Sequence, residues 1–415
     1  MEMGYDVTIG IPVYQAEKYL SRSLESALAQ TYPSIEFLLV DDGSTDGSLT
    51  IVEDFQKNHP RGTAIRLISH DHNLGVSATR NRIIEEASGT FLYFMDADDV
   101  IAENTITLLM DNIQRYEAEI AFGSYEKIGM DQTTKQSKEA DQTTPGPSYS
   151  GGEGGREMYR YPNLLLEGED QLASFAYRKY AGIQASACNY LVKTSLLRDH
   201  HHRFINTDYW EDLVFTFDLV TFVSKAVLLP DITYSYRCHE NSLSHYQQRN
   251  LIPKGEILRN ARTVDHLRET SSILYNKVYF PNRCYNIVMT GFYMACHVLK
   301  RRQDITPSIS DDEIKAMLAH PATFRQICHF HQSRWKNLAL YLLGRLPAGL
   351  CVTFIRCLDK MRNLPLLLTF NFSLLLWQSG TKNISASMGS PIRRFPIKCL
   401  TGSRRSWLKN RVRNR

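Results

Sequence analysis

The chain lacks paired cysteines, a phosphate-binding glycine loop and any apolar run long enough to span a bilayer, and each absence excludes a class of function. Eight cysteines stand at 188, 238, 284, 296, 328, 351, 357 and 399 of 415 residues, with no C-x-x-C among them. A disulfide framework and a zinc ribbon are therefore not expected, and reduced thiols in a cytosolic setting are. There is no G-x-x-x-x-G-K-[ST], and no G-x-G-x-x-G follows the first β-like segment, which argues against an ATPase and a dinucleotide oxidoreductase. Met1 to Asp6 carries two acids and no basic run, so a secretory signal is not expected. The most apolar stretch, Leu364 to Trp377, is broken by Thr369, Asn371 and Ser373 and falls short of the ~20 residues a membrane helix needs. No internal repeat is visible.

Acid is also missing where base is plentiful. From Lys360 to Arg415 there are twelve Lys or Arg and no Asp or Glu, which leaves 36 basic and 44 acidic residues elsewhere, a balance of −8. The basic clusters at Arg393-Arg394, Arg404-Arg405 and Lys409 to Arg415 alternate with Phe395, Leu400, Trp407 and Leu408. This pattern predicts contact with an anionic cytoplasmic leaflet, each basic residue contributing about 1 kcal/mol. The plainer reading is a solvated tail. No nucleic-acid-binding module is recognisable, so nucleic acid is not an expected partner.

What is present in the first 125 residues is an alternation of two periods. Val7 to Ile11, Ile35 to Val40, Ile65 to Ile68, Phe91 to Met95 and Ile120 to Ser124 read as strands, the second so uniformly apolar that burial on both faces is implied. Between them, Leu20, Leu24, Ala27 and Leu28, then Leu49, Val52 and Phe55, then Ala78 to Ala87, then Leu108, Leu109 and Ile113 repeat at helical spacing. This order predicts an α/β fold with a mostly parallel sheet sandwiched by helices, with ligands outside the carboxyl ends of the strands. Asp131 to Arg156 is rich in Gln, Thr, Ser, Gly and Pro and reads as a flexible polar loop. Beyond about residue 250 the pattern is helical. The length suggests two or three domains, with boundaries near 125 and 250: 1–125, 126–250 and 251–415.

Two acidic turns follow strands: Asp41-Asp42-Gly43-Ser44-Thr45-Asp46 and Asp96-Ala97-Asp98-Asp99. A third acidic pair is Glu211-Asp212. If the sheet is parallel, the first two turns share one edge of it. Gathering like charges is costly unless a cation joins them. A D-x-D turn offers carboxylate oxygens to a hard cation, Mg²⁺ or Mn²⁺, which keeps waters and bridges to substrate phosphates. Asp is also common in turns simply because it bonds its own backbone, but two such turns at equivalent strand ends shift the balance toward a diphosphate site.

These segments, taken with Ile9-Gly10-Ile11-Pro12-Val13-Tyr14, Gln30-Thr31-Tyr32 and Asn73-Leu74-Gly75-Val76-Ser77-Ala78-Thr79-Arg80-Asn81, resemble in order and spacing the family 2 glycosyltransferases. The likeness extends through Trp210-Glu211-Asp212 to Tyr236-Arg237-Cys238-His239-Glu240-Asn241-Ser242-Leu243-Ser244. It implies a GT-A fold, with a nucleotide-sugar-binding half over 1–125 and an acceptor half over 126–250. It also implies an inverting, metal-dependent transfer from a nucleoside diphosphate sugar, a UDP-sugar being favoured, to a glycan or lipid-linked acceptor in surface polysaccharide assembly. The place of action would be the cytoplasm or the inner face of the cytoplasmic membrane.

The resemblance also assigns roles. Pro12, Tyr14 and Asp42 would hold the base, Asp42 by accepting the imide N–H of uracil. Asn73 and Arg80 would line the donor site, Arg80 facing phosphate or bracing the acidic turns. Asp98 would bind metal, Asp96 the metal or ribose, and Asp99 would support them. Arg237 or His239 would contact phosphate, a surface turn being the alternative. Asp212 would be the general base, with Glu211 as the fallback; the same pair suits a helix N-terminus. His200-His201-His202 cannot all face one ion in a regular element and reads as an exposed loop, and Cys328-His329-Phe330-His331 lacks a second ligand pair at zinc-finger spacing. The competing readings are a nucleotidyltransferase on a related scaffold, which should carry a Gly-rich basic loop where Pro12 to Gln15 stands, and a non-catalytic nucleotide-sugar-binding scaffold.

Overall fold

The structure is a computed structural model that describes residues 4–128, 148–152, 156–178, 182–207, 209–237, 251–362 and 398–399. Its first part runs β1 (Val7–Val13), α1 (Leu20–Leu28), β2 (Ile35–Asp41), α2 (Ser48–Asn58), β3 (Ile65–Ser69), α3 (Val76–Glu86), β4 (Phe91–Phe94), β5 (Val100–Ile101), α4 (Thr105–Tyr116) and β6 (Ile120–Ile128). Every residue of β2 is buried, as its unbroken apolar run requires. Leu20, Leu24, Ala27 and Leu28 form the buried stripe of α1. β4, β1, β2 and β3 lie side by side and parallel, with Val7 opposite both Ile35 and Phe91. Their carboxyl ends therefore share one edge, where both acidic turns emerge. Gly10 of β1 lets α3 come close: an added Cβ would meet the Ile83 side chain at 2.3 Å.

The second part runs β7 (Ser148–Gly152), β8 (Arg156–Arg160), β9 (Leu164–Glu167), α5 (Gln171–Arg178), β10 (Tyr190–Lys193), α6 (Thr194–Asp199), α7 (Glu211–Leu219) and β11 (Lys225–Arg237). β10 inserts antiparallel between β4 and β6, and β11 runs parallel to β6. The sheet thus continues past its parallel block as a mixed one. The polar stretch 131–156, expected as a loop, contains β7, which pairs with β8 from Ser148↔Arg160 to Gly152↔Arg156. A cross-strand partner supplies the backbone hydrogen bonds that Gly151 and Gly152 could not order alone. Of that loop, 131–147 and 153–155 lie outside the described residues.

The third part is helical: β12 (Ile252–Pro253), α8 (Lys254–Ser271), α9 (Phe280–Lys300), β13 (Ile305–Thr306), α10 (Asp311–Ala316), α11 (Phe324–Cys328), α12 (Arg334–Arg345) and α13 (Ala348–Arg362), with a last short strand, β14 (Lys398–Cys399), on β9. Among the described residues no helix is long and apolar enough to cross a membrane. The apolar stretch 364–377 and the basic clusters after it lie outside the described residues. One apolar core spans the sheet from Val7 to Tyr234, and a second joins α8, α9, α10, α12 and α13. Helix α7 sits on the seam: Phe215 and Leu219 belong to the first core and Val214 to the second.

Candidate active site

The turn after β2 is an anchored scaffold. Asp41 Oδ2 accepts from the backbone N–H of Gly43 and Ser44 at 3.2 and 3.1 Å. Asp42 is 2% exposed. Its Oδ1 accepts from Leu74 N at 2.9 Å and lies 2.8 Å from His70 Nδ1, and its Oδ2 accepts from Gly75 N at 2.8 Å. Gly75 has φ +92°, a conformation that favours glycine. The carboxylate expected to meet a base directly is thus turned onto the loop that opens α3. Asn73 and Tyr14 are exposed beside it and Pro12 is half-buried.

Arg80, one turn into α3, is the hub. It is 6% exposed. Its Nη2 donates to Asp96 Oδ1 and its Nη1 to Glu211 Oε1, both at 2.9 Å, and its guanidinium lies 5.4 Å from the Phe204 ring centre. Of the two roles left open for it, bracing the acidic turns is the one this geometry displays. One guanidinium therefore joins the D-x-D turn to an acid pair far along the chain. Burial works against its charge, but Asp96 and Glu211 outweigh that and hold it firmly protonated. Among the described residues its buried Nε has no hydrogen-bond partner.

Behind the D-x-D turn, Asp99 faces inward. It is 1% exposed, accepts from Tyr234 Oη at 2.6 Å and from Arg237 N at 2.7 Å, and thereby fastens the end of β11 to the turn. Burial, then Asp96 and Asp98, push its carboxyl well above the usual range. Tyr234 Oη also accepts from Asp96 N at 3.2 Å. Asp96 is about one-third open, with a side-chain exposure of 30%, and Asp98 is half-buried. His239 lies outside the described residues.

Helix α7 begins at Glu211, so both acids occupy its first turn, where the N-terminal dipole favours them. Trp210 precedes them with φ 75°. Glu211 is 8% exposed and committed to Arg80. Asp212 is half-buried and accepts from Leu213 N at 2.7 Å through Oδ1. Burial, then the neighbouring Glu211, raise its carboxyl to about 7, against the opposing pull of Arg80 and the Leu213 N–H. A carboxylate tuned there has the proton affinity of a general base working near neutrality.

The donor set for a cation is oxygen only. Asp96 keeps Oδ2 after Arg80 has taken Oδ1, and Asp98 stands two residues on. Among the described residues no group of three or more His, Cys, Asp or Glu is arranged to hold a metal alone. His202 differs from expectation: it packs on Phe215 and bonds the Phe215 carbonyl at 2.9 Å, and burial lowers it to about 4. Among the described residues Cys188, Cys284, Cys296, Cys328, Cys351 and Cys357 are not joined in disulfides.

Some participants escaped the sequence. His70 left one trace, its place after a strand on the acidic edge. Tyr234 stands in the segment that leads to Arg237, but its bond to Asp99, 135 residues away, left no trace, and Phe204, whose partner lies across the fold, left none.

Residues 8–188 match the family model for glycosyl transferase family 2. The chain is 39% identical over 119 residues to glycosyltransferase GlyA of Streptococcus pneumoniae, covering 29% of this chain and 16% of that protein. It is 23% identical over 302 residues to the uncharacterized glycosyltransferase YibD of Escherichia coli, covering 72% and 80%. The chain spans well under half the length of the first curated relatives it matches, 16% and 38%. A crystal structure of Staphylococcus aureus TarS 1–349 in complex with UDP-GlcNAc shares the fold, with a TM-score of 0.54 at 18% identity over 82% of this chain and 90% of that one.

Proposed function

We propose that this chain, whose residues 8–188 form a family 2 glycosyltransferase domain of GT-A type, moves a sugar from a nucleoside diphosphate to a hydroxyl of a glycan or lipid-linked acceptor, with inversion at the anomeric carbon. The observation that carries the reading is Arg80, which holds Asp96 and Glu211 on one guanidinium. In this reading it ties a diphosphate-type acidic turn to the acid pair that includes the candidate base, on either side of the proposed donor crevice. The complex of a structural neighbour with UDP-GlcNAc supports a UDP-sugar as donor.

In this reading Asp42 shapes the base site through Leu74 and Gly75, which it fixes, with Pro12, Tyr14 and Asn73 alongside. A Mg²⁺ or Mn²⁺ held by Asp98 and the open side of Asp96 would supply Lewis-acid stabilisation of the leaving diphosphate. Arg237 and His239 would face that diphosphate. Asp212 takes the proton from the acceptor hydroxyl as its oxygen attacks the anomeric carbon, and the bond to the diphosphate breaks on the opposite side. Arg80 fixes Glu211 beside Asp212, and burial together with that neighbouring carboxyl keeps Asp212 basic. Residues 251–415 would shape the acceptor side, and the basic clusters would hold the enzyme to an anionic membrane that carries a lipid-linked acceptor.

The test is thermal stabilisation by UDP, GDP and dTDP, each with and without Mn²⁺. The expected result is a rise in Tm with UDP that needs Mn²⁺ and is lost in Asp98→Asn. No shift with any diphosphate would contradict the proposal.

A further inference from the structure

Helix α7 has nine residues, too few to hold a direction by itself. Two buried arginines hold it. Glu211 and Asp218 are seven positions apart, close to two full turns, so they share one face about 10 Å apart along the axis. Arg80 takes Glu211 from the sheet side. Arg283, on α9 of the helical region, takes Asp218 at 2.5 Å.

Arg283 is 0% exposed and all three of its nitrogens are used. Nε donates to Ser271 Oγ at 2.8 Å. Nη1 donates to Tyr177 Oη at 2.6 Å and to the Phe217 carbonyl at 3.1 Å, and Nη2 to Thr270 Oγ1 at 2.9 Å. Tyr177 Oη donates in turn to the Phe217 carbonyl, one of the four that the last turn of a helix leaves without an intrahelical partner. His266 Nε2 lies 3.2 Å from the second oxygen of Asp218. The partners come from α5, α7 and α8. As pure stabilisation such a buried pair is replaceable by apolar packing; what apolar packing cannot do is fix the rotation and axial position of a short helix.

We propose that Arg283 is a positioning residue: from the helical region it locks the last turn of α7, so that the first turn presents Asp212 at a fixed place in the crevice. This rests on the reading of Asp212 as the base. It gives the helical region a part in turnover that needs no contact with donor or acceptor.

The test compares full-length Arg283→Met, Arg283→Lys and Ile355→Ala. Ile355 is buried in the same helical core, on α13, and serves as a control for lost stability alone. UDP release from UDP-glucose, UDP-galactose and UDP-N-acetylglucosamine with Mn²⁺ gives kcat and KM. Because misplacement by about 1 Å costs on the order of 100-fold, Arg283→Met should lose on the order of 100-fold in kcat with little change in donor KM. Arg283→Lys should recover part of it, and Ile355→Ala should keep kcat at a comparable loss of Tm. An unchanged kcat in Arg283→Met, or an equal loss in Ile355→Ala, overturns the proposal. A second readout is independent of turnover. In Arg283→Lys, which keeps the charge if the Met variant fails to fold, the amides of residues 211–214 should exchange about tenfold faster than in Ile355→Ala. Equal exchange overturns the brace. A wild type that releases UDP from no donor overturns the transferase reading instead, and the exchange result still decides the brace.

Discussion

Arg80 and Arg283 grip the same helix at opposite ends, yet they are built differently. Every nitrogen of Arg283 donates a hydrogen bond, and its surroundings are hydroxyls, carbonyls and one carboxylate. Arg80 instead spends Nη1 and Nη2 on two acids, an Asp96 about one-third open and a Glu211 that neighbours another carboxylate. In the proposed mechanism Arg283 belongs to the frame and Arg80 to the acids around the reacting groups.

The largest expected effect separates the two ends without touching either arginine. Asp212→Asn keeps an oxygen for the Leu213 N–H and leaves both ion pairs in place. Turnover should fall by about 10²–10⁴-fold, the usual contribution of a general base, while UDP affinity with Mn²⁺ stays within about twofold. A variant that keeps its turnover would remove Asp212 from the mechanism and with it the meaning of the Arg80 end.

Deleting either guanidinium should come next. Arg80→Met and Arg283→Met each strand buried acid and should cost about 3–5 kcal/mol, read from denaturant unfolding. The two should part company in donor binding. Arg80→Met releases Asp96 and should weaken UDP binding, whereas Arg283→Met should not. Equal loss of UDP affinity in both would erase the distinction between crevice and frame.

The pH dependence sharpens the Arg80 end further. Because Asp212 must be deprotonated to act and is raised to about 7, turnover should rise through about pH 7 and level off above it. The same raised value carries a stability cost. An unfolded Asp titrates near ~3.9, so the folded protein loses stability as pH climbs from there through about 7. A shift of that size corresponds to about 4 kcal/mol at most. Asp212→Asn should therefore melt higher than wild type at pH 8 and close to it at pH 4. An equal difference at both pH values would mean that Asp212 is not raised.

The smallest expected effect lies behind the turn. Tyr234→Phe removes the hydroxyl shared by Asp99 and Asp96 N and should cost about 1–3 kcal/mol, the penalty of leaving a buried acceptor unpaired. No loss of stability would show that Asp99 does not rely on the Tyr234 hydroxyl.

Much of this was readable from the chain, and for a physical reason. The parallel block declares itself because strands buried on both faces must be apolar throughout, as Ile35 to Val40 are. The acidic turns declare themselves because parallel strands deliver their ends to one edge. What was hidden depended on partners distant in sequence. Asp99 reads as one more acid in an open turn, and only the arrival of β11 turns it inward. Asp42 reads as a free acceptor until the N–H groups of Leu74 and Gly75 are seen to use it. Strand β10 has four residues, and nothing in Tyr190 to Lys193 foretells insertion between β4 and β6. Arg283 sits in a helix that contains no Asp or Glu. A lone arginine there gives no hint that its carboxylate is 65 positions upstream.

The measurement that bears most directly on the central claim is proton NMR of the sugar released from α-linked UDP-sugars with Mn²⁺, recorded before mutarotation and with water as the fallback acceptor. The account predicts UDP release together with a product whose anomeric signal appears first in the β form. An α product, or intact donor across the whole panel of UDP-, GDP- and dTDP-sugars, would contradict it.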